Sequence, residues 1–236
     1  MNKLALIALL FAILLLNSIS SYAQTVAGIK QSGLTIDIVF PPGNNIIVNG
    51  ERVPGIDGSE YLSEEWTKGR ITMNNGAIID TIYLRLNVYK NEMHYLYKNV
   101  EYSICSPENI RKISIGDRKF IHSLYKKDEG KNSQGYFEVL VDGKAKLLAL
   151  YYITKINANY NVVLDAGNKN DRLELKERYF IATENSIVEI DKKGKCIFDN
   201  LGDKGDILRK RIKEEDLSFK KKEDLVKIIT YVNGMN

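Results

Sequence analysis

Between Ile82 and Val88 the side chains alternate without a fault. Ile82, Leu84, Leu86 and Val88 fall on one side; Tyr83, Arg85 and Asn87, followed by Tyr89, fall on the other. A period of two belongs to a half-buried strand, whereas a helix would scatter the same apolar set around its axis. Turn signals separate this run from others like it. Asn49-Gly50 follows Ile46-Ile47-Val48, Asn75-Gly76 follows Ile71-Thr72-Met73, and Asp142-Gly143 divides 136–141 from 144–153. Asn-Gly accepts positive φ at both central residues of a type I′ hairpin turn, the turn whose twist matches that of its strands. Lys90-Asn91-Glu92, Lys98-Asn99 and Gly116-Asp117 mark further reversals. The chain therefore reads as mainly β. The expected fold is an antiparallel meander, either a sandwich or a strongly curved open sheet, with one buried face and a tyrosine-rich opposite face.

An Asn, Gly and Lys-rich connection is expected over 157–171. Strands resume at 178–183 and 186–190, and a last one is expected at 196–198. The period then changes. Leu208 and Ile212 are four apart, and Leu225, Ile228, Ile229 and Val232 follow the i, i+3, i+4, i+7 pattern of an amphipathic helix, with Asn233-Gly234 as its expected stop. Two short helices joined near Leu217-Ser218 make a C-terminal helical pair.

At the other end, Lys3 precedes an unbroken apolar run from Leu4 to Leu16, and Ser21-Tyr22-Ala23 places small residues before Gln24. That is the pattern of a cleaved secretory signal peptide, and the run is shorter than the roughly 20 residues that span a bilayer as a helix. The expected organisation is a signal peptide at 1–23, a leader or edge segment at 24–45, an antiparallel β domain at 46–200 and a helical appendage at 201–236. The mature product is expected in the periplasm or outside the cell, with no transmembrane segment.

Charge narrows the partners. Only Lys3 among the charged residues lies in the signal, so 33 of the 34 basic residues and all 30 acidic ones remain, a net of +3. So even a balance supplies no electrostatic reason for a nucleic-acid partner. Cys105 and Cys196 enter a compartment that permits disulfides. Bonded, they would close a long loop, stabilising by up to roughly 4 to 5 kcal/mol in the chain-entropy model. The alternative is two separate thiols. Neither has a metal-ligand partner at the right spacing.

The stretch Val48-Asn49-Gly50 through Gly58-Ser59-Glu60-Tyr61-Leu62-Ser63-Glu64-Glu65-Trp66-Thr67-Lys68-Gly69 resembles a block of exported β-rich proteins of Bacteroidetes-type bacteria. Leu84-Arg85-Leu86-Asn87-Val88-Tyr89, Tyr136-Phe137-Glu138-Val139-Leu140, and the ending from Gly202-Asp203-Lys204 to Tyr231-Val232-Asn233 are similar to the same group. The resemblance runs over nearly the whole chain after residue 23. It implies an envelope location and a β-rich fold, and carries over no catalytic residue, since that family has no assigned activity.

Candidate chemistry is sparse. Glu64-Glu65 beside the sole tryptophan, Trp66, has the ingredients of a glycosidase, but strand neighbours point to opposite faces and cannot confront one sugar. His94 and His122 have no sequence-local partner, and Ser59 lacks the Gly-x-Ser-x-Gly elbow. The Asp-rich segments 165–171 and 199–206 do not match calcium-loop spacing. The basic run 209–213 meets Glu214-Glu215-Asp216 at once, as on a solvated helix face. No catalytic, cofactor or metal residue is therefore assigned. Tyrosine remains, with 14 copies, and its apolar ring with a polar tip suits recognition surfaces. Tyr83, Tyr89 and Trp66 are the candidate binding surface. The expectation is an exported, non-catalytic module that binds an envelope protein or glycan. A carrier of a small apolar ligand in a curved sheet and a hydrolase assembled from scattered residues are the alternatives.

Overall fold

The alternation around Leu84 is realised in the fourth of twelve strands in a computed structural model that describes residues 46–48, 55–126, 132–184, 186–199 and 201–235. The signal-like segment, the leader and the Asn49-Gly50 turn lie outside the described residues. In chain order the strands are β1 (Ile46–Ile47), β2 (Ile56–Asp57), β3 (Thr67–Met73), β4 (Ile78–Asn87), β5 (Glu92–Tyr97) and β6 (Val100–Ser103). A 3-10 turn at Pro107–Asn109 leads to β7 (Ile110–Ile115), β8 (Arg118–Lys126), β9 (Asn132–Val141), β10 (Lys146–Ile156), β11 (Asp171–Ala182) and β12 (Ile187–Glu189). Helices α1 (Lys195–Phe198), α2 (Lys204–Glu214) and α3 (Lys222–Met235) follow. The fold is mainly β, with one open sheet ordered β1-β6-β5-β4-β3-β7-β8-β9-β10-β11-β12, and β2 attached in parallel to β11. All the other pairings are antiparallel.

The turn residues act differently from one hairpin to the next. At Asn75-Gly76 only the glycine has positive φ (86°), and the Gly76 N–H donates to the Met73 carbonyl. This is a three-residue loop with a glycine bulge and not the expected type I′ turn. The two-residue turn with both central φ positive is Lys98-Asn99 (49° and 62°), closing Tyr97 onto Val100. In β4, Thr81 takes φ 59° where Arg70 of β3 opposes both Asp80 and Thr81 of β4. That bulge keeps Ile79 and Ile82 on one buried side although they are three apart.

Paired residues share a face, so the registers divide the sheet into a Leu84 face and an Arg85 face. On the Leu84 face, Ile71, Leu84, Met93, Tyr95, Ile113, Phe120 and Tyr136 form one cluster. Further along the same face, Leu147 and Ile181 pack under Leu208 of α2 and Leu225, Ile228, Ile229 and Val232 of α3. The expected helical stripe is thus the buried one. On the Arg85 face a third cluster fills the region from β8 to β12, where Phe137 and Phe180 meet edge to face with centroids 5.2 Å apart. There β12 returns against β8. β9 and β10 bury both faces in this region, which is why 135–138 and 147–150 are continuously buried.

Beyond the Phe137–Leu150 pair, β9 parts from β10. Asn91, in the β4–β5 turn, takes the vacated bonds: its amide donates to the Gln134 carbonyl and its oxygen accepts from the Tyr136 N–H. The β10–β11 hairpin continues past β9 to Ile156 and Asp171, where β2 pairs with Asp171 and Arg172.

Three local expectations are corrected. Residues 195–198 are a helical turn and not a strand, seated by Ile197 and Cys196 in the helix cluster. β11 begins at Asp171, seven residues before the expected start at 178, because it pairs with β10 along its whole length. Asn233-Gly234 does not end α3, which runs to Met235. Asn233 instead faces the β9–β10 connection, donating to the Ala145 carbonyl and accepting the Ala145 N–H (2.8 and 2.9 Å). A Cβ at Gly143 would sit 2.5 Å from the Asn233 amide, so this approach requires glycine.

Candidate functional site

On the Arg85 face, β4, β5 and β6 converge on one carboxylate. The β4–β5 register sets Arg85 opposite His94, and the tight Lys98-Asn99 turn sets Glu101 opposite Leu96, diagonal to His94. Glu101 accepts from Arg85 Nη2 (2.6 Å) and Nε (3.2 Å), from the Tyr61 hydroxyl (3.2 Å), and lies 2.6 Å from His94 Nδ1. The other ring nitrogen of His94 is 3.0 Å from Glu92 Oε2. His94 is fully buried. Three side chains thus make four contacts with the one carboxylate, three at Oε1 and one at Oε2. Burial opposes its charge, but the bonds from Arg85 and His94 outweigh burial and hold the carboxyl below its ordinary range.

Aromatic rings enclose the arginine. Tyr61 pairs with Asn87 across the edge of β4, and the Thr67–Leu84 register brings Trp66 beside Arg85. The guanidinium carbon lies 3.8 Å from the centre of the Tyr61 ring and 4.4 Å from that of Trp66. Arg85 Nη1 donates to the Glu64 carbonyl (3.4 Å), tying down the segment between the rings. Tyr83, 40% exposed, stands on the same face with Lys68 over its ring. The structure therefore brings together two of the three expected surface residues, Trp66 and Tyr83. Tyr89 is exposed too, but lies beyond the end of β4, in the β4–β5 turn.

A second polar group lies on the Leu84 face between the sheet cluster and the helices. Arg118 grips Glu138 through Nε and Nη2, both at 2.8 Å, and the Tyr151 hydroxyl donates to Glu138 at 2.6 Å. Burial works against the Glu138 charge, yet these donors lower its pKa. Burial, then the Glu138 bond, pushes the Tyr151 hydroxyl well above its ordinary value, so it remains a donor. Near Arg118, the segment 62–67 and the sheet border a small cleft with Leu62, Leu84, Ile115 and Phe120 in its walls.

The tyrosines do not form the expected separate face. Tyr95 and Tyr136 are 2% exposed in the cluster on the Leu84 face, and Tyr97, Tyr102 and Tyr151 pack against it. Their rings fill part of the core beside the aliphatic side chains. Cys105 and Cys196 are both free thiols, so of the two alternatives the structure has the separate thiols and not the bridge. Cys105 is exposed just after β6, while Cys196 packs with the helices, and its burial pushes its pKa to about 11.

His94 and His122 fall on opposite faces of the sheet, and His122 instead packs against the Tyr136 ring at 4.9 Å. Its pKa is lowered by burial, with Glu108 opposing. Ser59 Oγ accepts the Tyr61 N–H in a local turn. Asp165 accepts the Tyr160 hydroxyl, and Asp171 is bound by Lys155 and the Ala158 N–H. Arg209 stacks on Phe198, and Arg211 binds Glu215. Among the described residues no group of three or more His, Cys, Asp or Glu is arranged to hold a metal ion, and no helix is long and apolar enough to cross a membrane.

Sequence reasoning missed the Arg85–Glu101–His94 group. Its signal was present in Lys98-Asn99: a two-residue turn there fixes the register that brings Glu101 to His94. It also missed Val162-Val163-Leu164, which are 80%, 93% and 71% exposed at the tip of the β10–β11 connection. Compared with known proteins, the chain matches no protein-family model, no curated protein and no solved structure.

Proposed function

We propose that this chain is an exported, non-catalytic binding module of the bacterial envelope, working through the surface that carries Trp66 and Tyr83. The observation that carries the reading is the convergence of Arg85, Tyr61 and His94 on Glu101. The ionisable groups beneath this surface are occupied with one another, so they serve as a rigid support and not as a proton shuttle. Arg85, locked below, fixes Trp66 in place, and an aromatic surface held in advance loses little freedom on binding. The signal-like start and the resemblance to exported envelope proteins support the location. The carrier alternative has less support, since the cleft beside Arg118 has a cavity volume of about 30 Å³, room for little more than a water molecule and far under the 300 Å³ or so typical of the smallest ligand sites.

Sedimentation with the isolated envelope fraction, including its purified glycan, tests this. Tyr83→Ser should weaken retention about 30-fold, the loss of one aromatic anchor of about 2 kcal/mol, while Tyr89→Ser leaves it unchanged. Equal retention of Tyr83→Ser and the parent chain would remove this face as the working surface.

A further inference from the structure

We propose that the tip of the β10–β11 hairpin, Val162-Val163-Leu164, inserts into the interfacial layer of a phospholipid bilayer. Three consecutive aliphatic side chains between 71% and 93% exposed are held outward by construction. The Asn161 side chain accepts the N–H groups of Val163 and Leu164 (3.0 and 3.1 Å), and Asn161 exchanges backbone bonds with Ala166 (2.8 and 3.3 Å). Below that ring, the Asn159 N–H donates to the Asn168 carbonyl at 3.0 Å and the Asn168 N–H to Asn159 Oδ1 at 2.8 Å. The tip thus cannot relieve its exposure by local collapse without giving up these bonds.

The chemistry grades from apolar to interfacial. Tyr160 follows immediately beneath the tip, with the Lys169 ammonium 4.7 Å from its ring centre. The nearby carboxylates are already engaged, Asp165 by Tyr160 and Asp171 by Lys155. An aliphatic apex over a tyrosine and a lysine matches the layering of a membrane interface, and the lysine complements lipid phosphate. A protein partner fits less well: interface anchors are Trp, Tyr and Arg, with Val and Leu under-represented. This surface is distinct from the Trp66 and Tyr83 face, so the two readings fail separately.

The test places a reporter at the tip. In the full chain carrying V163W, fluorescence is followed on adding vesicles of phosphatidylcholine and phosphatidylglycerol with brominated acyl chains, and the Trp66 signal of the parent is subtracted. The expected result is a blue shift and quenching of more than half. Adding V162S and L164S should raise the lipid concentration needed at least tenfold, with an unchanged circular dichroism spectrum. Y83S should leave the response intact. Emission indifferent to vesicles would overturn the proposal. So would a blue shift that appears without lipid as the chain is concentrated and self-associates, since a second copy would then be what covers the tip.

Discussion

Two bidentate Arg–Glu pairs are built into the described part of this sheet, and they differ in what surrounds them. Arg85 and Glu101 have side chains only 13% exposed, and a fully buried histidine depends on the same carboxylate. Arg118 is 38% exposed while Glu138 is 9% exposed, and the third partner is a neutral tyrosine hydroxyl. The first pair ties three consecutive strands and an aromatic surface into one unit. The second joins β8, β9 and β10 at the place where the sheet cluster gives way to the helix cluster. The contrast separates two uses of the same bidentate geometry. A desolvated network makes its members interdependent, whereas a half-solvated pair is a local tie that water can replace.

The largest expected effect comes from breaking the first pair on one side. Glu101→Gln leaves Arg85 without its counter-charge and His94 with one carboxylate, and should cost about 3 to 5 kcal/mol, as for one-sided loss of a buried ion pair. Urea denaturation measures it, and a loss below about 1 kcal/mol would show the network to be dispensable. Glu138→Gln should cost less, about 1 to 2 kcal/mol after allowing for the solvent around Arg118. If it costs as much as the first, the comparison fails.

Asn233→Ala removes both bonds to Ala145, and about 1 to 2 kcal/mol should go with them. The loss should appear as faster hydrogen exchange in α3 before the strands.

The smallest effect sharpens the contrast by pH. Glu101 and Glu138 both have folded pKa values lowered below the ordinary 4.5. Their contribution is therefore complete above about pH 4.5 and is lost as pH falls through the lowered values. Stability followed from pH 6 to 3 should fall in the parent and fall less steeply in Glu101→Gln. A parent curve that is flat over that window would contradict the lowered values.

Much of the sheet was legible because β4 and its neighbours bury one face, where period two is a direct signal. Leu225, Ile228, Ile229 and Val232 were legible for the same reason at helical period. The short helix at 195–198 was not, since a four-residue helix is too short to display any period. The continuation of α3 past Asn233-Gly234 was hidden because a tertiary contact, and not local capping, determines what Asn233 does. The candidate face was half legible. Trp66 and Tyr83 could be named from residue type, but that Arg85 lies beneath Trp66, and that Glu101 and His94 lock it, depends on pairing register across three strands. The tyrosines misled because the same ring that suits a surface also fills a core, as at Tyr95 and Tyr136.

The double burial of β9 and β10 bears on how this chain can misfold. In a strand with one wet face, sliding by one residue turns its apolar side chains into water, and that cost guards the alignment. Here a slip of 135–138 or 147–150 would exchange one dry environment for another, so hydrophobicity guards the alignment poorly. What discriminates is Glu138, the one charged side chain in the buried stretch of β9. Slipped by one position, its carboxylate would leave Arg118 and Tyr151 and enter the Phe137–Phe180 cluster. In this hairpin a single charge serves as the proofreading mark for strand alignment, and a chain with Glu138→Leu should refold through trapped, misaligned species even if its final stability is little changed.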